Sequence, residues 1–205
     1  MDANNRKDKY IDKAIVVLKQ EGLRLSLDEI ATKMGVTKKT LYNHFSSKEE
    51  LLKECIRSIS SDFQEALSGL DDPNHSSIEN LRRCFSRVNN LFMVLNPIFF
   101  SDLMRGNPNQ AMLEHVVGSG FFRQKIEANL RKGIEGGLFR DDLDVEFVGN
   151  YLAYSVFGYY INGIVNNNPL ISKSYFDDIL GYHLRAIVSE KGKQFINNSY
   201  EAIKE

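Results

Sequence analysis

The sequence predicts an all-α protein of about nine helices. Three observations carry this. Apolar residues recur at i, i+3 and i+4 along most of the chain. Three Ser-x-x-Glu capping boxes, Ser26/Glu29, Ser47/Glu50 and Ser76/Glu79, mark helix starts. Strand-like alternation is scarce. The 205 residues set a limit of one or two domains, and a chain 42% hydrophobic and 26% charged is neither disordered nor collagenous.

The first helix carries Ile11, Ala14, Ile15 and Leu18 on one face, and Gly22 can end it. A short helix with Leu27, Ile30, Ala31 and Met34 inward follows Ser26. Gly35 then supplies a tight turn, Val36 plugs it, and Thr37 can cap a second short helix that turns Leu41 and Phe45 inward. After Ser47 a longer series runs Leu52, Cys55, Ile56, Ile59, Phe63, Ala66, Leu67 and Leu70, stopped by Asp71-Asp72-Pro73-Asn74. The next runs Ile78, Leu81, Phe85, Val88, Phe92 and Leu95. Asn96-Pro97 opens a short helix that ends near Gly106-Asn107-Pro108. A helical stretch covers about 109–136 and closes at Gly136-Gly137. Asp144 caps a helix without charge from Phe147 onward, and a last amphipathic series holds Phe176, Ile179, Leu180, His183, Leu184 and Ile187. A composition shift near Ser46 divides the chain into a basic head, 1–46, and a greasier helical body, 47–205, expected to hold ligand and dimer surfaces.

Ser26 to Lys48 is the informative stretch. Small Ala31, which allows close helix crossing, and Gly35 four residues later fit a helix-turn-helix, whose second helix enters a DNA major groove. The outward residues of that helix all hydrogen-bond or carry charge. Between Ile30 and Lys48 stand four lysines and no acid, a local charge of +4 in a chain whose net charge is −1. An anionic partner suits that asymmetry.

Residues 10–55 resemble the DNA-binding head of the TetR family of bacterial repressors. Thr40-Leu41-Tyr42-Asn43-His44-Phe45 and Lys48-Glu49-Glu50-Leu51-Leu52 look like its signature at the recognition helix and the next helix start. The segment from Gly133 to Asp144 is similar to a late turn in many members. The resemblance implies a homodimer reading a near-palindromic double-stranded operator. It also implies release when a small, largely apolar ligand binds the body, with the helix after Ser47 as the connection. Carried over, Thr37, Lys38, Lys39, Tyr42, Asn43 and His44 match DNA-facing positions. Phosphate contacts are expected from Tyr42, His44 and Lys48, and base contacts from Lys38, Lys39 and Asn43. Thr40 faces the groove or shapes the turn. Ser26 and Lys33 can reach phosphate.

Pocket candidates are Phe63, Phe85, Asn89, Phe92, Phe99, Phe100, Met104, Phe121 and Tyr154, since ligand sites between helices are apolar with few polar anchors. Candidates for the dimer interface are Phe157, Tyr160, Ile161, Ile164, Phe176, Ile179, Leu180, His183, Leu184 and Ile187; burial inside one subunit is the competing reading. The uncharged run after Phe147 is broken by Asn and Pro and reads as a buried helix, not a membrane span. No secretory signal is expected, and cytoplasmic placement with reduced Cys55 and Cys84 follows. The four histidines form no metal spacing, and no nucleophile or phosphate-loop motif appears, so no metal, cofactor or enzyme is expected. Three rival readings keep the DNA-binding head: a body that binds a protein partner, an enzyme that uses the body's cavity with DNA binding incidental, and activation in place of repression.

Overall fold

The computed structural model describes residues 3–94, 98, 99, 102, 120–156 and 175–201; the side chains at 3–6, 154–156, 175–177 and 199–201 lie outside that description. Nine α-helices are described: α1 Ala3–Glu21, α2 Leu27–Lys33, α3 Lys38–Tyr42, α4 Lys48–Ser68, α5 Ser77–Met93, α6 Gly120–Glu135, α7 Val145–Asn150, α8 Tyr175–Ile187 and α9 Glu190–Glu201. A 3₁₀ turn, Gly69–Asp71, follows α4, and α7 runs on into a π-helical turn, Tyr151–Val156. No strand is described; one isolated bridge pairs Phe139 with Val188.

The chain divides into two compact units that interleave in sequence: Met1–Phe63 with Leu91–Val116, and Gln64–Asn90 with Val117–Glu205. The first unit is built around α1–α3 and most of α4. Ala14 and Leu18 of α1, Ile30 of α2, Leu41 of α3, Phe45 just beyond it, and Leu51 and Cys55 of α4 are all essentially inaccessible. Burying a side chain such as Phe45 contributes about 2–3 kcal/mol. The phase of α4 differs from the sequence reading. Leu51, not the half-buried Leu52, leads the buried series Leu51, Cys55, Ile59, Phe63, spaced by four. The Cys55 thiol donates to the Ile11 carbonyl, and desolvation raises it to about 12, so it is inert.

Two glycines set the chain path here. Gly22, at φ +84, ends α1 with its N–H on the Leu18 carbonyl. Gly35, at φ +67, makes the turn between α2 and α3. Both lie in the left-handed region that an L side chain adopts at a cost.

In the second unit, Leu70, Ile78, Leu81, Cys84 and Phe85 pack with Phe122, Ile126, Leu130 and Leu152 as core. Buried Asn80 and Asn129 both donate to the Leu70 carbonyl, at 3.3 and 3.1 Å, which ties the 3₁₀ turn to α5 and α6. Asp144 caps α7 as the sequence predicts, accepting from the Phe147 N–H at 3.0 Å. Helix α9 lies beyond the last helix read from sequence. The helices expected at 96–108 and before Gly120 fall largely outside the described residues.

Candidate nucleic-acid interface

The helix-turn-helix forms where the spacing places it. Ser26 caps α2 with both halves of the box: the Glu29 N–H reaches Ser26 Oγ, and the Glu29 carboxylate accepts from the Ser26 N–H at 2.7 Å. The Ser26 hydroxyl, donating to the Glu29 carboxylate at 2.7 Å, and then the Ser26 N–H hold Glu29 below its ordinary carboxylate value. The Met34 N–H closes on the Ile30 carbonyl and the Val36 N–H on the Ala31 carbonyl, turning the chain through Gly35. Thr37 caps α3 by accepting from the Thr40 N–H at 3.1 Å, and its hydroxyl also bonds the Thr40 hydroxyl at 2.7 Å. Thr40 therefore serves the turn, and Leu41 pins the helix from below.

Above that scaffold the outward residues stand exposed. Lys38, Lys39, Tyr42 and Asn43 face solvent. The Lys38 ammonium pairs with Asp28 at 2.6 Å and lies 5.6 Å from the Tyr42 ring centroid. The hydrogen bond to Asp28 raises its pKa. Lys33 pairs with Glu21 at 2.7 Å. The +4 window thus overstates the free charge: two of its four lysines meet acids from outside the window. Among the described residues, Lys39 and Lys48 make no ion pair. Exposed pairs of this kind are weak and exchange readily for other anions.

His44 is half-buried, its ring 4.7 Å from Tyr10 of α1 and 6.5 Å from Phe45, so it wedges α1 against the end of α3. Ser26 is exposed, but its hydroxyl is engaged in the capping box.

The start of α4 is braced to α1. Glu50 accepts from Ser46 N–H at 2.8 Å, from the Ser46 hydroxyl at 2.7 Å and from Lys7 at 3.1 Å; the Ser46 bonds are the leading cause of a pKa lowered to about 2. The reciprocal half of the Ser47 box is therefore moved to Ser46, while the Glu50 N–H still reaches Ser47 Oγ. Tyr10, Asp28 and Glu21 were not singled out from sequence. Each meets its partner across at least ten residues, which no local pattern reports.

The body candidates separate. In the first unit Phe63 and Phe92 are buried with ring centroids 5.1 Å apart, and Phe99 is buried. In the second, Phe85 stacks obliquely near Phe122 at 6.5 Å, and Asn89 is buried with an Oδ1 that has no hydrogen-bond partner among the described residues. Phe121 is a correction: it is exposed, with Lys125 over its ring. Phe100, Met104 and the Tyr154 side chain lie outside the described residues.

For the dimer surface, Phe157, Tyr160, Ile161, Ile164 and the Phe176 side chain also lie outside. Leu180, Leu184 and Ile187 are buried within the single chain and are core. What α7 and α8 leave at the surface is Phe147, Tyr151 and Tyr182, at 65, 41 and 69% exposure, with His183 half-buried between Tyr151 and Tyr182. Burial lowers the His183 pKa. Among the described residues no three His, Cys, Asp or Glu converge on a metal site, and no helix is long and apolar enough to cross a membrane.

A capped α2, a glycine turn and a short basic α3 braced by α1 and α4 define a helix-turn-helix DNA-binding protein. Residues 11–55 match the family model of bacterial regulatory proteins of the tetR family, a match that covers α2, α3 and parts of α1 and α4. It is 25% identical over 160 residues to the transcriptional repressor KstR2 of Mycobacterium tuberculosis, covering 73% of this chain and 76% of that one. The solved structure of that ketosteroid transcriptional regulator overlays with a TM-score of 0.62 at 22% identity, over 92% of this chain and 98% of that chain. The TetR-family protein CprB from Streptomyces coelicolor, solved with its operator, overlays with a TM-score of 0.68 at 21% identity, over 97% and 96%.

Proposed function

We propose that this protein is a transcriptional repressor that binds a near-palindromic operator as a homodimer and is released by a small, largely apolar ligand. The observation that carries the DNA-binding part is α3: its polar and cationic residues stand exposed on a helix fixed by the Thr37 cap and by Leu41 beneath it. Lys38 and Lys39 lie on its first turn, where a recognition helix meets base edges, and Lys48 lies beyond it for phosphate.

Repression rests on the likeness to KstR2. Two heads on a two-fold would mirror an inverted repeat. The exposed aromatics of α7 and α8 support the dimer, because a cluster of this kind on a protein surface is an interaction site. Asn89 Oδ1, buried and without a hydrogen-bond partner among the described residues, supports a ligand site, since a buried acceptor without a donor costs free energy that a ligand hydroxyl or N–H would recover. KstR2's description as a ketosteroid regulator makes fused-ring apolar molecules the first class to test. Such a ligand acts only through its preference for the conformation that does not bind DNA. The head is cut at residue 46 in this division, and 47–205 carries ligand and dimer surfaces.

Replacing Lys38 and Lys39 together by Ala is expected to weaken operator binding at least roughly tenfold and to flatten its salt dependence. Helicity and assembly state should be unchanged. Wild-type affinity in that variant would overturn the assignment of α3 as the reading helix.

A further inference from the structure

One carboxylate reaches the head from far along the chain. Asp102 is buried, its side chain 5% exposed, and accepts from the Leu23 N–H at 2.9 Å and from Arg24 Nε at 2.6 Å. Both donors sit in the three-residue stretch between Gly22 and Ser26, where α1 hands over to α2. The fit is close. A Cβ on Gly22 would fall 2.6 Å from Asp102 Oδ2 and 2.5 Å from Ile98 Cγ2, so that glycine is what lets Ile98 and Asp102, four residues apart, lie against the backbone.

A buried carboxylate is tolerated only while it is paired and hydrogen-bonded. It also sits just past the C-terminal end of α1, where the helix dipole repels an anion. The Leu23 N–H and the Arg24 guanidinium hold it there. That makes the contact an either-or device, made in one geometry and costly in a slightly displaced one. Its source matters. After Asn90 the chain leaves the second unit, contributes Leu91–Val116 to the first, and re-enters the second at Val117. Asp102 lies on that excursion.

We propose that Asp102 is a positioning residue for DNA reading: its clasp on Leu23 and Arg24 fixes the α1–α2 junction, and through it the aim of α3. It rests on the DNA-binding reading, and the test keeps the two apart. First, wild-type protein is titrated with a duplex enriched from a random pool and with a scrambled duplex. Equal affinity for both defeats the DNA-reading assignment itself, and the clasp with it.

Given a wild-type preference, Asp102→Asn keeps the shape but cannot accept from both donors. Its affinity for the enriched duplex should fall at least tenfold, with affinity for the scrambled duplex within twofold of wild type. Hydrogen exchange at the Leu23 amide should quicken. Unchanged affinity for both duplexes, or an equal fall for both, overturns the proposal, because a merely structural loss would not discriminate. Should Asp102→Asn fail to fold, Arg24→Gln decides: the Arg24 side chain is 68% exposed and its loss is mild. A selective fall of about threefold supports the clasp, and no selective fall overturns it.

Discussion

Gly22 and Gly35 share a left-handed backbone but not a setting, and their substitutions separate the two costs. A Cβ on Gly35 meets nothing within 4 Å. Gly35→Ala should therefore cost only the backbone preference, about 1 kcal/mol. Gly22→Ala adds a collision with Ile98 and Asp102 and should cost about 3 kcal/mol or more. Urea unfolding of both variants measures this; equal losses would mean the Gly22 contact yields without resistance. At the same scale, charge needs three dimensions to be read. Lys33 and Lys38 look free in sequence because the window around them holds no acid, yet Glu21 and Asp28 fold back onto them.

The helices owe their ends to local chemistry, and pH reports on it. Glu50 titrates at about 2 in the folded chain against an ordinary 4.5, so the unfolded state binds its proton first on acidification. A depressed folded value means stability that is fully present above the unfolded value and lost as pH falls toward the folded one. Glu29, Glu49 and Glu79 shift in the same direction, each through serine hydrogen bonds and, in Glu49, first through its own backbone N–H. Stability should be level above about pH 5 and fall from there toward about pH 2. Glu50→Gln should show a smaller fall in urea midpoint over that window; an identical profile would mean the Ser46 and Lys7 bonds are not maintained in solution. The starts of α2, α5 and α7 were legible because cap and helix are three residues apart. So was the helix-turn-helix, whose glycine and apolar spacing are local. Helix α9 was not: among its described side chains Ile196 is the one buried apolar group, and most of the others are Glu, Lys, Gln and Asn. The π turn after α7 likewise has no sequence sign, since Tyr151–Val156 reads as continuous apolar helix. The clasp of Asp102 spans 79 residues and leaves no mark on local pattern.

For the whole molecule the sequence carried fold class and head together, while the interface was only half legible. The stripe on α8 was read correctly as apolar, but Leu180, Leu184 and Ile187 turn inward; its period cannot tell a subunit's own core from a partner's surface. On α8 the exposed aromatic beside it is Tyr182; Phe147 and Tyr151 belong to α7 and the π turn. Tyr182→Glu combined with Phe147→Glu is expected to give monomers in sedimentation with helicity retained, and an unaltered dimer would place the interface elsewhere. Loss of the dimer should also cost operator affinity, because two tethered heads gain from an effective concentration that one head lacks.

The most direct test of the DNA-reading role is a selection of random short duplexes by the purified wild-type protein, sequenced and repeated at two salt concentrations. An enriched inverted repeat, bound more weakly at the higher salt, is the expected result: two symmetric heads, each attracted by phosphate and each choosing bases. Uniform recovery of all sequences, or recovery of none, would contradict it and leave α3 a braced polar helix with no operator to read.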